Sequence, residues 1–319
     1  MRQDWTRRLV SALVALSAMV PAAVAQRIES TATLSWRQTD TSLSLINGNQ
    51  VVWQHVHDRQ VGKPFMRFGL RDGTELTRPW PYAKDYPKND HPWHRALWWS
   101  WKSIDGVNYW EQHQQGTDPV DVQIEAAVDF SAKIILTIHY HQPDQPPVVK
   151  ETRTISISPP DADGGYQIDW DAKFSCVGGK AVKFGQNSYG GLALRFSADC
   201  CGDSDSNRPG WVFRDDQGRE NETNNQQARW VAYSGQTPNG KTACVTIFDH
   251  PRNPGHPAFW QLRSQYPYLN PSLTCKEAYE LKADRPLRLR YRIAVQDGEP
   301  FWAKMEHAWK AFASETPSP

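Results

Sequence analysis

Short stretches in which apolar and polar residues alternate recur along most of the chain, and this period of two is typical of half-buried β-strands. Many are rich in Val, Ile, Thr and aromatic residues, which favour strands. Thr41–Leu45 and Val51–His57 flank Asn47-Gly48, a strong hairpin signal. The pattern predicts further strands at Val122–Phe130, Lys133–His141, Glu151–Ile157, Tyr166–Phe174, Leu192–Phe196, Trp211–Arg214, Arg229–Tyr233, Ala243–Phe248 and Leu287–Val295.

Asp-Gly and Asn-Gly turns punctuate the chain, and strands do not alternate with helices. We therefore predict an all-β fold, a large antiparallel β-sandwich. One helix is predicted at the end, over Phe301–Ala313, because Phe301, Met305, Trp309 and Phe312 recur near helical spacing. We expect this helix to pack on a sheet.

The first 25 residues have the three parts of a secretory signal. An arginine-containing start precedes the apolar run Leu9–Val20, and Ala23-Val24-Ala25 is a small-residue cleavage site. We expect cleavage after Ala25, one β-sandwich domain over residues 26–319, and a periplasmic or secreted protein. No later segment is long and apolar enough to predict stable membrane insertion.

The cysteine content and the net charge indicate which covalent links and which partners to expect. Five cysteines in an exported protein make one or two disulfides plausible, and the odd number leaves at least one thiol free or paired between chains. The net charge is +1 without a run of like charge, so we expect no nucleic-acid partner. The oligomeric state is unknown from the sequence.

Tryptophan is unusually frequent, with 15 residues, five of them between Trp93 and Trp110. Flat aromatic rings stack on the C–H faces of sugars, which indicates a carbohydrate or sugar-derived small molecule as partner. Filling the core of a sandwich is the alternative use of these rings.

The densest group of chemically capable residues follows a Pro-rich loop and begins at Asp90. Loops held by a rigid scaffold often carry functional sites. We predict that His94 transfers protons and that Glu111 is a second base or orienting carboxylate. Arg95 would bind substrate oxygens. The remaining predicted substrate-binding residues here are His91, Asn108 and Trp98, the last as a stacking floor.

Two other loops contain candidates. Asp249 and His250 follow a predicted strand, and the carboxylate could orient His250 or His256. We predict that Asp249 and His250 are catalytic and that His256 binds substrate, although an Asp–His turn that caps the strand is the alternative. Asn187 and Tyr189 precede a Gly-Gly pair and could bind hydroxyl groups, although a tight turn between strands is the alternative. We expect His94, Arg95, Glu111 and His250 to line one pocket.

This chain contains the segments LTRPWP, DHPWHRALWWSW, VNYWE, YGGLALRF, ARWVAYSG, VTIFDHPRNPGHPAFW and PYLNPS. Together they resemble a family of exported bacterial proteins called PmoA-like, or methane oxygenase PmoA, from about Lys63 to Gly298. Family members usually have a second histidine just before the one matching His94, where this chain has Trp93. The resemblance implies a galactose mutarotase-like supersandwich, a fold that commonly handles carbohydrates.

We therefore expect a carbohydrate-active protein that uses general acid/base catalysis on a glycoside or sugar derivative, by hydrolysis, β-elimination or epimerisation. A glycan-binding module without catalysis is one alternative. A metal-dependent oxygenase, which the family name implies, is another, and it would need His91, His94 and His250 or His256 to converge. No thiolate or paired-histidine ligand set is evident, so we expect no metal and no cofactor.

Overall fold

The computed structural model describes residues 33–81, 91–111, 116–202 and 211–316. The predicted signal segment and Asp90 lie outside these ranges. The described strands are β1 Leu34–Thr39, β2 Ser42–Asn47, β3 Gln50–Val56, β4 Phe65–Phe68, β5 Leu97–Trp101, β6 Gly116–Ala126, β7 Ala132–His141, β8 Val149–Ile157, β9 Tyr166–Cys176, β10 Val182–Phe184, β11 Gly190–Arg195, β12 Val212–Asp215, β13 Gln227–Ala228, β14 Trp230–Gln236, β15 Thr242–Asp249, β16 Ala258–Arg263, β17 Tyr268–Ser272, β18 Tyr279–Leu281 and β19 Leu287–Asp297. The described helices are α1 Ala198–Cys201 and α2 Trp302–Ser314.

The strands form two large antiparallel sheets. The first sheet has nine strands in the order β1-β2-β3-β4-β5-β11-β17-β16-β13. The second has eight, in the order β12-β14-β15-β19-β9-β8-β7-β6, and β10 and β18 form a separate pair. The predicted all-β class and antiparallel sandwich are confirmed, and the Asn47-Gly48 turn joins β2 to β3 as the hairpin signal predicts.

One continuous apolar core lies between the two sheets. Alternate residues of each strand enter it, so that β5 contributes Leu97, Trp99 and Trp101 from the first sheet. Trp170 and Tyr291 enter it from the second sheet. Aromatic rings bury large areas, and several of the tryptophans therefore fill the core, which was the alternative to sugar stacking.

Each sheet also has a smaller apolar cluster on the face turned away from the core. On the second sheet this cluster lies under α2, where Trp230 and Phe248 contact Met305 and Phe312. The predicted packing of the C-terminal helix on a sheet is confirmed. On the first sheet the cluster includes Trp98 and is not covered by α2.

All five cysteines are free thiols, which differs from the one or two disulfides expected from the sequence. They are Cys176, Cys200, Cys201, Cys244 and Cys275. In the described ranges, no helix is long and apolar enough to cross a bilayer.

Candidate functional site

A group of rings, here called the aromatic site, lies on the outer face of the first sheet. Because side chains alternate along a strand, Trp98 of β5 points away from the core that its neighbours Leu97 and Trp99 enter. Trp98 is paired with Ala193 of β11, and the next strand, β17, adds Tyr268 to the same face. The rings of the aromatic site are those of His91, His94, Trp98, Trp110, Tyr189, Tyr266 and Tyr268.

A tight turn brings the two predicted histidines together. His91 has φ of 48°, and its carbonyl accepts hydrogen bonds from the backbone N–H of His94 at 2.9 Å and from Nη1 of Arg78 at 3.1 Å. The two imidazole rings consequently stack with their centroids 4.7 Å apart. His91 is partly exposed and His94 is buried, so His91 forms the outer member of the pair.

His94 packs against rings from three directions. It stacks on Tyr268 with centroids 5.2 Å apart and lies 5.1 Å from the Trp98 ring. Trp110 meets it edge-on at 6.2 Å, and Nη1 of Arg195 lies 3.5 Å from its Nδ1 atom. These contacts hold the imidazole in one orientation, which a proton-transfer residue needs.

Trp98 cannot be the stacking floor that the sequence suggested. Its side chain is fully buried beneath His94 and Trp110, so no ligand reaches its face. The rings of the region that are partly exposed are His91, Trp93, Tyr189 and Tyr266. These rings, rather than Trp98, are available for stacking on a sugar.

Two buried cations lie beside the rings. The guanidinium of Arg95 stands 3.5 Å from the centroid of Trp80, and its Nη2 donates to the carbonyl of Val61 at 3.2 Å. Lys63 is 4% exposed, and its ammonium donates to the carbonyl of Trp110. Burial, helped by the charge of Arg95, lowers the pKa of Lys63 to about 7.

Glu111 is placed by its predicted neighbour Asn108. The side-chain oxygen of Asn108 accepts from the backbone N–H groups of Trp110 and Glu111, and its amide nitrogen donates to the Glu111 carboxylate at 3.0 Å. Lys102 pairs with the same carboxylate at 2.6 Å. Burial alone would raise the pKa of Glu111, but these hydrogen bonds, with the charges of Lys102 and His91, lower it. Glu111 is therefore an ionised carboxylate near His91, and Trp110 is the residue that contacts His94.

In the loop that contains Asn187 and Tyr189, the first residue forms a turn and the second contributes a ring to the aromatic site. The side-chain oxygen of Asn187 accepts from the backbone N–H of Tyr189 at 2.9 Å, and its main chain bonds to Thr274. Asn187 thus forms the tight turn that was its alternative interpretation. Tyr189 joins the aromatic site, where its ring contacts Trp110 and Tyr268.

The prediction that His250 shares a pocket with His94 is wrong. Asp249 and His250 end β15 in the second sheet, and the His250 ring contacts Phe312 of α2 on the outer face of that sheet. Sequence patterns locate strand ends but not the sheet to which each strand belongs. The two histidines lie on opposite faces of the sandwich, with the core between them.

His250 is also unsuited to proton transfer near neutral pH. It is completely buried, its Nδ1 accepts from the backbone N–H of Arg252, and its Nε2 lies 2.8 Å from Nη1 of Arg290. Burial and the charge of Arg290 lower its pKa to about 4. The ring is therefore neutral and anchors the loop after β15.

Asp249 organises that same loop. Its carboxylate accepts from the ring of His256 at 2.7 Å, from Asn253 at 2.7 Å and from the backbone N–H of Ala258 at 2.9 Å. Burial raises the pKa of Asp249 despite these bonds. Of the two histidines that Asp249 could orient, the one it bonds to is His256, whose ring stacks on Trp309 of α2.

Sequence reasoning missed several residues of the region, among them Lys63, Arg263, Tyr266 and Tyr268. Lys63 is an isolated lysine between Gly62 and Pro64, and nothing in the sequence signals its burial. Arg263 and Tyr266 lie in the segment joining β16 and β17. The spacing of Tyr266 and Tyr268, two residues apart, is the only signal that could have indicated this side of the site.

No group of three or more His, Cys, Asp or Glu residues is arranged to hold a metal ion within the described ranges. The convergence of His91 and His94 with His250 or His256, which the oxygenase alternative requires, does not occur. His91 and His94 lie on the outer face of the first sheet, whereas His250 and His256 contact α2, which covers the second.

Comparison with known proteins gives a family but no activity. No curated protein matches the chain. Residues 42–310 match the model of a family of unknown function, DUF6807. Because this match covers most of the chain, the protein belongs to the DUF6807 family.

Proposed function

We propose that the aromatic site binds a carbohydrate or sugar derivative and acts on it by general acid/base chemistry, with His94 as the proton-transfer residue. The observation that supports this most is the convergence of His91 and His94 with partly exposed tyrosine and tryptophan rings on one sheet face. Rings offer flat apolar surface to a sugar, while imidazole nitrogens can donate or accept a proton at its hydroxyl groups.

The partly exposed rings would contact the sugar, and His91 and His94 would lie at its reacting edge. His91 stacks between His94 and Tyr266, with centroids 4.7 Å from each. Because His91 and the guanidinium of Arg195 both pack against the Tyr266 ring, a ligand at the exposed edge of Tyr266 would first meet His91, the outer member of the imidazole pair. Glu111, ionised and electrostatically coupled to His91, is the carboxylate best placed to assist.

Lys63 adds a second group that can exchange a proton. Its pKa of about 7 leaves it partly neutral at neutral pH, unlike an ordinary lysine. Lys63 and Glu111 are near enough for the carboxylate charge to influence the lysine. Such a set suits hydrolysis, β-elimination or epimerisation, the three reactions expected from the sequence.

The supersandwich analogy and the PmoA-like resemblance support a carbohydrate role only by likeness of fold and sequence, and fold alone does not fix function. Export to the periplasm or outside the cell remains part of this proposal. It rests on the tripartite segment that ends at Ala25.

Turnover of a broad panel of glycosides, uronates and free sugars tests the proposal, with wild type compared to His94→Ala and His250→Ala. We expect His94→Ala to reduce turnover by about 100-fold or more, since a positioned acid or base contributes about that much. His250→Ala should leave the turnover of folded protein near that of wild type, because it lies on the other sheet.

Circular dichroism and unfolding curves must show that both variants are folded. Equal turnover by wild type and His94→Ala would contradict the catalytic role. Sugar binding without turnover of any panel member would instead support the glycan-binding alternative, and neither binding nor turnover would contradict the whole proposal.

A further inference from the structure

Three strands place a row of arginine, tyrosine and arginine across the outer face of the first sheet. Tyr268 of β17 is directly opposite Arg195 of β11 on one side and Arg263 of β16 on the other. Side chains of directly opposed residues lie close enough to interact. Arg263 therefore stands at one end of the row, and Tyr268, which stacks on His94, stands in the middle.

The guanidinium of Arg263 is held only by neutral groups. Its Nη1 donates to the carbonyl of Leu262 at 2.6 Å and to the side-chain oxygen of Asn224 at 3.0 Å, and its Nη2 donates to the hydroxyl of Tyr189 at 2.6 Å. Within the described ranges no carboxylate forms an ion pair with it. These bonds fix the direction of the charge without neutralising it.

Several other partly buried arginines pair with a carboxylate. Arg67 pairs with Glu75, Arg229 with Asp216, and Arg292 with Asp169. Each of these has a carboxylate within 3.0 Å of its guanidinium. Arg263 departs from this arrangement, as expected of a group whose counter-charge arrives with a ligand.

Arg263 also lines an open cleft of about 410 Å³, together with Asn221, Asn224, Ser264 and Gln265. These polar side chains can donate hydrogen bonds to ligand oxygens. The Asn224 oxygen is already occupied, by the N–H of Leu262 as well as by Arg263, so its amide nitrogen is the group left to donate. The cleft thus presents donors around one fixed cation.

The cleft is joined to the aromatic site through two tyrosines. Arg263 bonds to Tyr189, whose ring contacts Tyr268, and its charge and a hydrogen bond act on Tyr266. The hydroxyl of Tyr268 is fully buried and has no hydrogen-bond partner in the described part of the chain. Because Tyr268 is fully buried, this unpaired hydroxyl costs stability and is not itself a ligand contact.

We propose that Arg263 and its cleft form a subsite for the carboxylate or sulfate of an acidic sugar, whose ring then lies on Tyr266 towards His91. This inference rests on the proposed function, because it names the class of sugar that the aromatic site takes. Four of the five N–H groups of the guanidinium are used within the protein, which leaves one N–H group and the full positive charge for an oxygen of such an anion.

Calorimetric binding of matched glycans tests the subsite. The first pair is oligogalacturonate and its fully methyl-esterified, uncharged form, and the second is chondroitin sulfate and desulfated chondroitin, with sodium sulfate alone as a free anion. In at least one of the two pairs, we expect the wild type to bind the acidic glycan about tenfold or more tightly than the glycan of lower charge. The reason is that charge-assisted hydrogen bonds are stronger than neutral ones. Arg263→Gln should remove that preference, and added salt should weaken it.

Arg37→Gln is the matched control, because Arg37 is an exposed arginine on β1, at the opposite edge of the same sheet. It should bind like wild type. An unchanged preference in folded Arg263→Gln, or no preference in wild type, would overturn the subsite. Sodium sulfate binding as tightly as the sulfated glycan would show an anion site without a sugar role. In each of these cases, retained binding of the glycans of lower charge would leave the proposed function standing. Failure of the proposed function itself would instead appear as loss of both turnover and binding across the whole panel.

Discussion

Lys63 shows how one residue acquires a chemistry that its type does not predict. The side chain is buried, with a main-chain carbonyl of Trp110 as acceptor and the Arg95 guanidinium near enough to act on its charge. Burial penalises the charged ammonium, and the neighbouring positive charge adds to the effect. The result is a lysine that changes protonation near pH 7, bonded to the main chain of Trp110 in the aromatic site.

Replacement of Lys63 by methionine tests this environment. The folded-state pKa of about 7 lies below the value of 10.5 for a solvated lysine. Between those two pH values the unfolded chain binds more protons than the folded chain, so the free energy of unfolding of wild type rises with pH. From pH 7 to pH 9 we expect a rise of about 2 kcal/mol in wild type relative to Lys63→Met, measured by urea unfolding.

Lys276→Met serves as the control for that series, because Lys276 is an exposed lysine. Its stability should follow the wild-type pH profile. Parallel profiles of wild type and Lys63→Met would show that Lys63 has an ordinary pKa and would remove it from the proposed chemistry.

At the scale of elements, alternation located the strands with one apolar face most closely, while β11 and β15, buried almost throughout, were predicted from their composition. β7, β8 and β9 alternate buried and less buried residues, and the sequence located each to within a few residues. β5 and β17 were missed because both of their faces are covered, one by the core and the other by the aromatic site. A strand that is buried on both faces has no alternation to detect.

The same reason explains which part of the site could be predicted. His91, His94 and Tyr189 stand out because they lie in polar or Gly-rich segments between strands. Which loops meet depends on strand order, and the sequence did not show that β15 and β5 belong to different sheets. Arg263 was missed since its neighbours Tyr189 and Asn224 are 74 and 39 residues away.

Helix α2 provides a prediction at the same scale. Phe312 is 1% exposed, lies 5.0 Å from the His250 ring and is flanked by the guanidinium of Arg292 at 4.7 Å. Phe312→Ala leaves a cavity under the helix, and we expect a loss of about 3 kcal/mol in the free energy of unfolding. Lys310→Ala, at an exposed position of the same helix, should change stability by less than about 0.5 kcal/mol.

Ligand binding at the aromatic site should be unaffected by Phe312→Ala at temperatures where the variant is folded. The reason is that α2 covers the second sheet, whereas the site lies on the first. Loss of sugar binding by the folded variant would contradict the separation of the two faces.

For the molecule as a whole, the core between the sheets is not entirely apolar. Glu151 and Arg153 form an ion pair at 2.6 Å with both side chains fully buried, and the hydroxyl of Tyr140 donates to Glu151 at 2.6 Å. Arg153 also lies over the Trp170 ring and contacts the carbonyl of Pro64 at 3.5 Å. This network links the two sheets, and a buried pair of this kind is costly to break by removing one partner.

His55, on β3, is the weak point of this interior. It is fully buried, and neither ring nitrogen has a hydrogen-bond partner in the described part of the chain. Burial lowers its pKa well below 6.5, and the charges of the stacked His57 and of Arg153 lower it further. As the pH drops through 6.5, His55 therefore becomes protonated in the unfolded chain but stays neutral in the folded chain. The free energy of unfolding consequently falls.

His55→Leu should make the whole molecule more stable and less sensitive to acid. Leucine has a similar volume and no polar atoms to desolvate, so we expect a gain of about 1–2 kcal/mol in the free energy of unfolding at pH 7. The advantage over wild type should grow between pH 6.5 and pH 5 in urea unfolding, because the variant has lost one group whose protonation favours the unfolded chain. His307→Leu, at an exposed position of α2, should show neither effect. A destabilised His55→Leu, or a difference from wild type that is constant with pH, would mean that His55 makes favourable polar contacts that outweigh the cost of its burial.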